Sequence, residues 1–266
     1  MKREELTKKM RWDIAEKLAA ERLPYVNSIT KPVHPKKSFY GEVIKRIFDI
    51  LISSFVLLLT FPINILIGII TVLDVGFPIF FKQERTGKDG KPFQIIKFRN
   101  MRETKDEFGE LLPPDQRVTK FGRFVRKTSL DELLNFWSIL KGDMSLIGPR
   151  PLVPEYYDRY SERHKMRLAV KPGLECPPRK KLDHVWSWQE QFENDVWYVE
   201  HVSFLTDCKL LIRLVQFALD RKNSTARVTA NRGTFMGYDM NAEAINLDGV
   251  PDKYIDYYEG ENRGKV

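Results

Sequence analysis

The hydrophobic and polar positions divide the chain into stretches of different character. Ile50 to Leu73, ILISSFVLLLTFPINILIGIITVL, runs for 24 residues without a charge, after Lys45, Arg46 and Asp49 and before Asp74. A bilayer core needs roughly 20 apolar residues, and a helix this apolar all round is unusual for a soluble core. The pattern predicts a membrane-inserted helix. Pro62 lies almost at its midpoint, with Asn64 two residues on. A proline there removes one helical hydrogen bond and bends the axis. Lys36, Lys37, Lys45 and Arg46 precede the segment, and Lys82, Arg85, Lys88, Lys91, Lys97, Arg99 and Arg102 follow it. Basic flanks favour the cytoplasmic side, and a straight span cannot keep both there. The expectation is a re-entrant helix that enters, bends at Pro62 and returns. An ordinary proline-kinked span is the alternative.

On either side the patterning is weaker. Met1 to Leu23 reads as a charged helix with small apolar patches at Met10, Ile14 and Leu18, ended by Pro24, Pro32 and Pro35. It is read as a solvated or frayed arm, with a membrane-surface helix as alternative. No apolar run follows the first charges, so a secretory signal is not expected. Phe77–Gln83 and Phe93–Arg99 are β-like, and Asp89-Gly90 between them is a hairpin signal. The loop RTGKDGKP lacks the phosphate-loop pattern and is read as a turn. Residues 103–117 look like a surface loop. Ser129 to Gly142 reads as an amphipathic helix closed by its glycine. Residues 155–170, SWQEQFENDVWYVEHVS and Phe204–Leu219 look helical, with Trp186, Trp188 and Trp197 read as core or interface. Residues 221–266 are polar and irregular.

Composition narrows the function class. Of 266 residues, 30% are charged and 42% hydrophobic, and mean hydropathy is −0.38, which excludes full disorder and a polytopic membrane protein. The net charge of +8 and pI near 9.3 favour an anionic partner. Cys176 and Cys208 form no disulfide framework and no zinc-ligand spacing, and no histidine stands at metal-ligand spacing. Nucleic-acid binding rests only on the basic balance and the aromatics. The apolar segment and scattered acidic residues argue against it, so no nucleic-acid partner is expected.

The residues that could carry chemistry lie in Arg123-Phe-Val-Arg126-Lys-Thr-Ser129-Leu-Asp131-Glu132. With Ser129 as N-cap, Asp131 is N2 and Glu132 is N3, the pattern of a capping box. Glu132 then caps the backbone and Asp131 complements the dipole. The same geometry supports another reading. A helix N-terminus attracts anions, and an ionised carboxylate beside phosphate-binding cations can attack phosphorus. Asp131 is the candidate nucleophile, with Glu132 able to hold a divalent metal. Lys97 and Arg99 share one face of a strand. Arg150, between Pro149 and Pro151, is read either as an outward arginine on a structural turn or as an arginine aimed at a phosphate or carbonyl.

These stretches have a familiar order. KRIFDI, the proline-interrupted apolar run, FKQERTGKDGKPFQIIKFRNMR, SLDELLNFWSILKGDMSLIGPRPLVPEY, VKPG and FENDVWYVEHVSFLTD together resemble the bacterial sugar transferase family, the monotopic polyprenyl-phosphate phosphoglycosyl transferases. The resemblance covers about residues 43–219. It implies an α+β fold: a basic arm (1–40), a re-entrant membrane helix (41–75), a mostly helical cytoplasmic catalytic domain with a short β-hairpin (76–220) and a polar extension (221–266). It implies an enzyme of the bacterial inner membrane, working on its cytoplasmic face. The reaction implied is transfer of a sugar 1-phosphate from a UDP-sugar to undecaprenyl phosphate with release of UMP, a first membrane step of glycoconjugate assembly. By the same resemblance Asp131 is the nucleophile and forms a covalent phosphosugar, Glu132 works with Mg²⁺, and Arg126 assists. Lys97, Arg99, Arg123, Arg150 and Asp195 are substrate-binding. A homodimer and later glycosyltransferases of the pathway are implied partners. Two stretches depart from the family pattern. Phe61 stands where a serine usually precedes the proline, with Thr60 one residue earlier, and residues 174–182 read LECPPRKKL in place of a Thr-Gly then Ala-Gln-Val segment. The altered loop and long terminal arms motivate a second reading, a catalytically inactive membrane scaffold of the same fold.

Overall fold

The computed structural model describes residues 3, 6–107, 109, 111–179, 184–219 and 232–256. Its helices, in chain order, are α1 (Lys8–Ile29), α2 (Lys45–Val75), α3 (Pro114–Arg117), α4 (Lys120–Lys127), α5 (Asn135–Lys141), α6 (Glu162–Lys165), α7 (Trp188–Glu200) and α8 (Phe204–Leu219). The strands are β1 (Phe80–Thr86), β2 (Pro92–Phe98), β3 (Ser145–Ile147), β4 (Gly173–Glu175), β5 (Gly237–Tyr238) and β6 (Ala244–Ile245). The class is α+β, as the resemblance implies.

The expected hairpin forms. β1 and β2 pair antiparallel with Lys82 opposite Ile96 and Glu84 opposite Gln94. Asp89 and Gly90 supply the positive φ values of the turn, 57° and 77°. β3 and β4 form a short parallel pair that no alternation pattern announced, with Ser145 opposite Gly173 and Ile147 opposite Glu175. Gly148 and Gly173 make this pairing possible. A Cβ on Gly173 would stand 2.2 Å from the Gly148 nitrogen, so the loop after β3 and the turn before β4 touch backbone to backbone.

KRIFDI is the dock of α2. Lys45 pairs with Asp207 on α8 at 2.6 Å. Arg46 donates to the carbonyls of Ile139 and Leu140 at 2.5 and 2.6 Å, satisfying acceptors that the end of α5 leaves open. Asp49 accepts from the Ser145 hydroxyl and the Leu146 N–H, both at 3.0 Å. The buried positions of α2 are Asp49 and Ser53 near one end and Ile67 and Thr71 near the other, with none from 54 to 66. Tyr40 to Val75 is long and apolar enough to cross a membrane. The helical backbone runs through the proline, beside a side-chain relay in which Asn64 Nδ2 donates to Thr60 Oγ1 (3.2 Å) and that hydroxyl to the Val56 carbonyl (2.8 Å).

The terminal segments are the main correction. α1 is not a solvated arm, and it does not end at Pro24. Its N-cap Thr7 accepts from the Met10 N–H at 3.2 Å, and its Ile14, Leu18 and Val26 are fully buried. Ile14 and Leu18 pack with Met236, Val250 and Ile255, and Val26 joins Tyr156, Trp188, Phe235 and Tyr238. Each buried aliphatic contributes roughly 1.5–3 kcal/mol, enough together to offset the ~3 kcal/mol cost of a proline inside a helix. Residues 232–256, expected to be irregular, supply the other half of that packing: Met236, Val250, Tyr254 and Ile255 in one cluster, and Phe235, Tyr238, Ala242 and Ala244 in the other. The remainder of the 221–266 extension lies outside the described residues.

Candidate active site

The helix expected from Ser129 is divided. Leu130–Glu132 is a single 3-10 turn, and α5 begins only at Asn135. Ser129 sits at φ 57° and makes no side-chain cap hydrogen bond. Its N–H bonds the Arg126 carbonyl at 3.2 Å. Ser129 therefore ends α4 as a left-handed C-terminal residue and does not open the next helix. The capping-box reading of Ser129 and Glu132 is overturned. Gly142 closes α5 as expected, its N–H bonding the Ser138 and Ile139 carbonyls at 3.1 Å.

Freed from capping, Glu132 becomes the centre of an ion-pair cluster. One of its oxygens accepts from Lys97 Nζ at 2.9 Å and from Arg150 Nη2 at 2.6 Å. Lys97 comes from β2, and Arg150 from the Pro-Arg-Pro loop after β3. Arg150 also reaches the Leu174 carbonyl (3.1 Å) and Glu175 (3.4 Å), at the end of β4. Burial works against the Glu132 charge, yet Arg150 and Lys97 hold its carboxyl down at about 2. Asp131, beside it, is 8% exposed. Burial pushes its carboxyl above the usual carboxylate range and Glu132 adds to the rise, against the attraction of Lys97 and Arg126. Its carboxylate makes no side-chain hydrogen bond among the described residues. Two neighbouring acids thus have their proton affinities driven apart. Arg85, Lys97, Asn135, Met144, Arg150 and Leu174 help line a small cleft beside this cluster; Asp131 and Glu132 are not among its lining residues.

The other residues singled out from the sequence fall in different places. Arg126 donates from Nε to Asn100 at 3.1 Å, and Asp131 is the strongest opposite charge acting on it. Arg123 is on the exposed side of α4. Arg99 turns away from Lys97: its guanidinium bonds the Val75 and Phe77 carbonyls at the end of α2. Asp195 is buried behind the cleft. It pairs with Arg167 at 2.8 and 3.0 Å, and Arg167 donates to the Arg150 carbonyl at 2.8 Å. Burial raises the Asp195 carboxyl to about 6 in spite of Arg167. Asp195 thus supports the backbone of Arg150 and does not line the cleft. The sequence reading missed Arg85, Glu175 and Arg167. Glu175 lies inside the 174–182 departure, which was its only signal.

The family described as bacterial sugar transferase matches residues 40–221. The chain belongs to the bacterial sugar transferase family. The sugar transferase EpsL of Bacillus subtilis is 42% identical over 197 residues, covering 73% of this chain and 98% of that protein. The UDP-glucose:undecaprenyl-phosphate glucose-1-phosphate transferase of Klebsiella pneumoniae is 36% identical over 183 residues, 65% of this chain and 39% of that one. The undecaprenyl-phosphate galactose phosphotransferase of Salmonella typhimurium is 33% identical over 208 residues, 68% and 41%. The chain thus spans nearly all of EpsL but about two fifths of these two transferases. Within this sugar transferase the family match takes in α2 to α8, and leaves α1 and residues 232–256 outside.

Proposed function

We propose that this chain transfers a sugar 1-phosphate from a UDP-sugar to undecaprenyl phosphate, releasing UMP, through a phosphosugar carried on Asp131. The observation that supports it is the unlike carboxylate pair. Glu132 is locked as an anion by Lys97 and Arg150, while the Asp131 carboxylate next to it has no side-chain hydrogen-bond partner among the described residues. In the first step an Asp131 oxygen attacks the sugar-bearing phosphorus. The bond from that phosphorus to the bridging oxygen breaks, and the oxygen leaves with UMP. In the second step a phosphate oxygen of undecaprenyl phosphate attacks the same phosphorus. The bond to Asp131 breaks, its carboxylate is restored, and the sugar leaves on a lipid diphosphate, an acceptor for later glycosyltransferases. Lys97 and Arg150 neutralise the incoming diphosphate. Arg167 and Asp195 keep the Arg150 backbone in place.

The donor set suits Mg²⁺. Asp131 and Glu132 are consecutive in the chain, one Glu132 oxygen is left over from the Lys97 and Arg150 contacts, and Mg²⁺ typically takes one or two carboxylates and completes its shell with phosphate and water. Bound there with the diphosphate, it would supply charge neutralisation for the leaving UMP. The scaffold reading gains nothing from this arrangement, since a buried, unpaired carboxylate is costly to keep without use.

We place the cleft at the cytoplasmic face of the inner membrane, with α2 re-entrant. Its two ends are buried on one domain while its middle is not, as expected of a helix bent away at Pro62 and returning. Labelling of Phe39→Cys and Lys91→Cys in intact cells tests this: both should react from the cytoplasmic side, and reaction from opposite sides would remove the re-entrant arrangement. The reaction is tested by UMP release from a panel of UDP-sugars with undecaprenyl phosphate. Asp131→Asn should abolish release, and retained turnover in the purified variant would refute the nucleophile.

A further inference from the structure

Arg85 takes no part in the two steps above. It stands on β1, and the register of the hairpin fixes the face it occupies. Directly opposed residues of an antiparallel pair share a face. Arg85 opposes Phe93, Gln83 opposes Ile95 and Phe81 opposes Lys97. Arg85, Ile95 and Lys97 therefore lie on one face of the hairpin, and all three line the cleft together with Arg150 and Pro151. A backbone bond ties the strand to the Pro-Arg-Pro loop: the Thr86 N–H donates to the Leu152 carbonyl at 3.0 Å. It joins the residue after Arg85 to the residue two beyond Arg150.

The three cations of the cleft are partnered differently. Lys97 and Arg150 share Glu132 at 2.9 and 2.6 Å, and Arg150 also has Glu175 at 3.4 Å. Arg85 donates from Nη2 to Gln83 Oε1 at 2.6 Å and from Nη1 to the Glu84 carbonyl at 3.4 Å, both neutral acceptors on its own strand. Among the described residues no carboxylate lies within ion-pair distance of it. Glu155, the acid that acts on it, is exposed, while burial and Arg150 both work against its charge. A guanidinium oriented by a glutamine and set beside a second arginine is held at a cost that an arriving anion relieves. A nucleotide-sugar brings two phosphates. The one under attack must reach Asp131, which does not line the cleft, whereas Arg85 does. The neighbouring phosphate, which stays with the nucleoside, then falls to Arg85.

We propose that Arg85, oriented by Gln83 beside Arg150, binds the nucleoside-bearing phosphate of the nucleotide-sugar, the phosphate that leaves with UMP. The proposal rests on the transferase reading above and divides the cations between its steps. Lys97 and Arg150 serve both, since they touch the cleft and Glu132 alike. Arg85 serves the first, in which UMP is released, and is not needed in the second.

The two steps are followed separately on the full chain in detergent or nanodiscs. Loading is read as UMP released without lipid acceptor, and discharge as loss of the bound sugar phosphate when undecaprenyl phosphate is added. Arg85→Gln should slow loading at subsaturating UDP-sugar roughly ten- to hundredfold, the scale of one charged hydrogen-bonded contact, and leave discharge within about twofold. Unchanged loading overturns the proposal, as does discharge slowed as much as loading, since that marks a structural defect. If Arg85→Gln does not fold, Arg85→Lys decides. It keeps the charge, loses the fork and should slow loading severalfold with discharge unchanged, and the same two results overturn the proposal. If no UDP-sugar loads the unaltered protein, the covalent reading fails by itself. Arg85 is then read from the Kd of UMP by calorimetry, which Arg85→Gln should raise by about fivefold or more. An unchanged Kd, or no binding of UMP by the unaltered protein, overturns the proposal.

Discussion

Ser129-Leu-Asp-Glu132 and Ser187-Trp-Gln-Glu190 present the same local signal, a serine followed three residues later by a glutamate before an apolar run. At Ser187 the capping box forms in full: Glu190 N–H to Ser187 Oγ at 3.1 Å and Ser187 N–H to the Glu190 carboxylate at 2.8 Å. At Ser129 neither side-chain bond exists. The difference has two physical causes. A helix ends at Lys127, two residues before Ser129, so this serine must reverse the chain in the left-handed region, a cost of roughly 1–2 kcal/mol for a residue with a Cβ. Ser187 follows a loop and is extended at φ −71°, ψ 165°. Glu132 also meets Lys97 and Arg150, two cations that bind it more strongly than a backbone N–H can. Where a local motif is refused, the competing partner marks the functional site.

The comparison can be broken first at its glutamates. Glu132→Gln removes the anchor of both cations and should lower transfer on the order of 10²–10³-fold, the scale of losing one preorganised electrostatic group. Glu190→Gln should leave UMP release within about twofold. Equal effects at the two glutamates would contradict the contrast drawn here. Asp131→Asn comes next, and its sign is informative. Burial raises the Asp131 carboxyl, so its charged form opposes folding at neutral pH, and the amide should raise Tm while abolishing transfer. The acid limb of activity should accordingly lie above the ordinary aspartate pKa of about 3.9. Glu132 acts oppositely. Held at about 2, it stabilises the fold above the ordinary carboxylate range, and that contribution is lost as pH falls toward 2. The smallest effects belong to the serines. Ser187→Ala should cost about 1 kcal/mol of stability, whereas Ser129→Gly should stabilise slightly, since relief of the left-handed strain, roughly 1–2 kcal/mol, exceeds the added unfolded-chain entropy of about 0.4–1 kcal/mol. Chemical denaturation measures both.

What could be read from the sequence follows the range of the interactions involved. The apolar run, the Asp89-Gly90 turn and the Gly142 stop depend on neighbours in the chain, and each formed. Lys97, Glu132 and Arg150 were singled out as cations and carboxylate, but only the fold brings β2, the 3-10 turn and the Pro-Arg-Pro loop to one oxygen atom. Arg99 was misjudged because strand alternation fixes the face of a side chain, and the open carbonyls at the end of α2 then claimed it. Asp195 was placed in the cleft by resemblance, and its burial on Arg167 moves it one layer back. The pairing of α1 with residues 232–256 left no local trace, since the small apolar patches of α1 gain meaning only beside Met236, Val250 and Ile255, more than 200 residues away.

The central claim is a covalent bond between one carboxylate and a phosphosugar. Purified protein incubated with its UDP-sugar and no lipid acceptor, quenched and digested, should yield by mass spectrometry a peptide containing Asp131 heavier by one sugar phosphate, formed with UMP and discharged by undecaprenyl phosphate. Turnover with that peptide always unmodified, or with the adduct on another residue, would contradict the account.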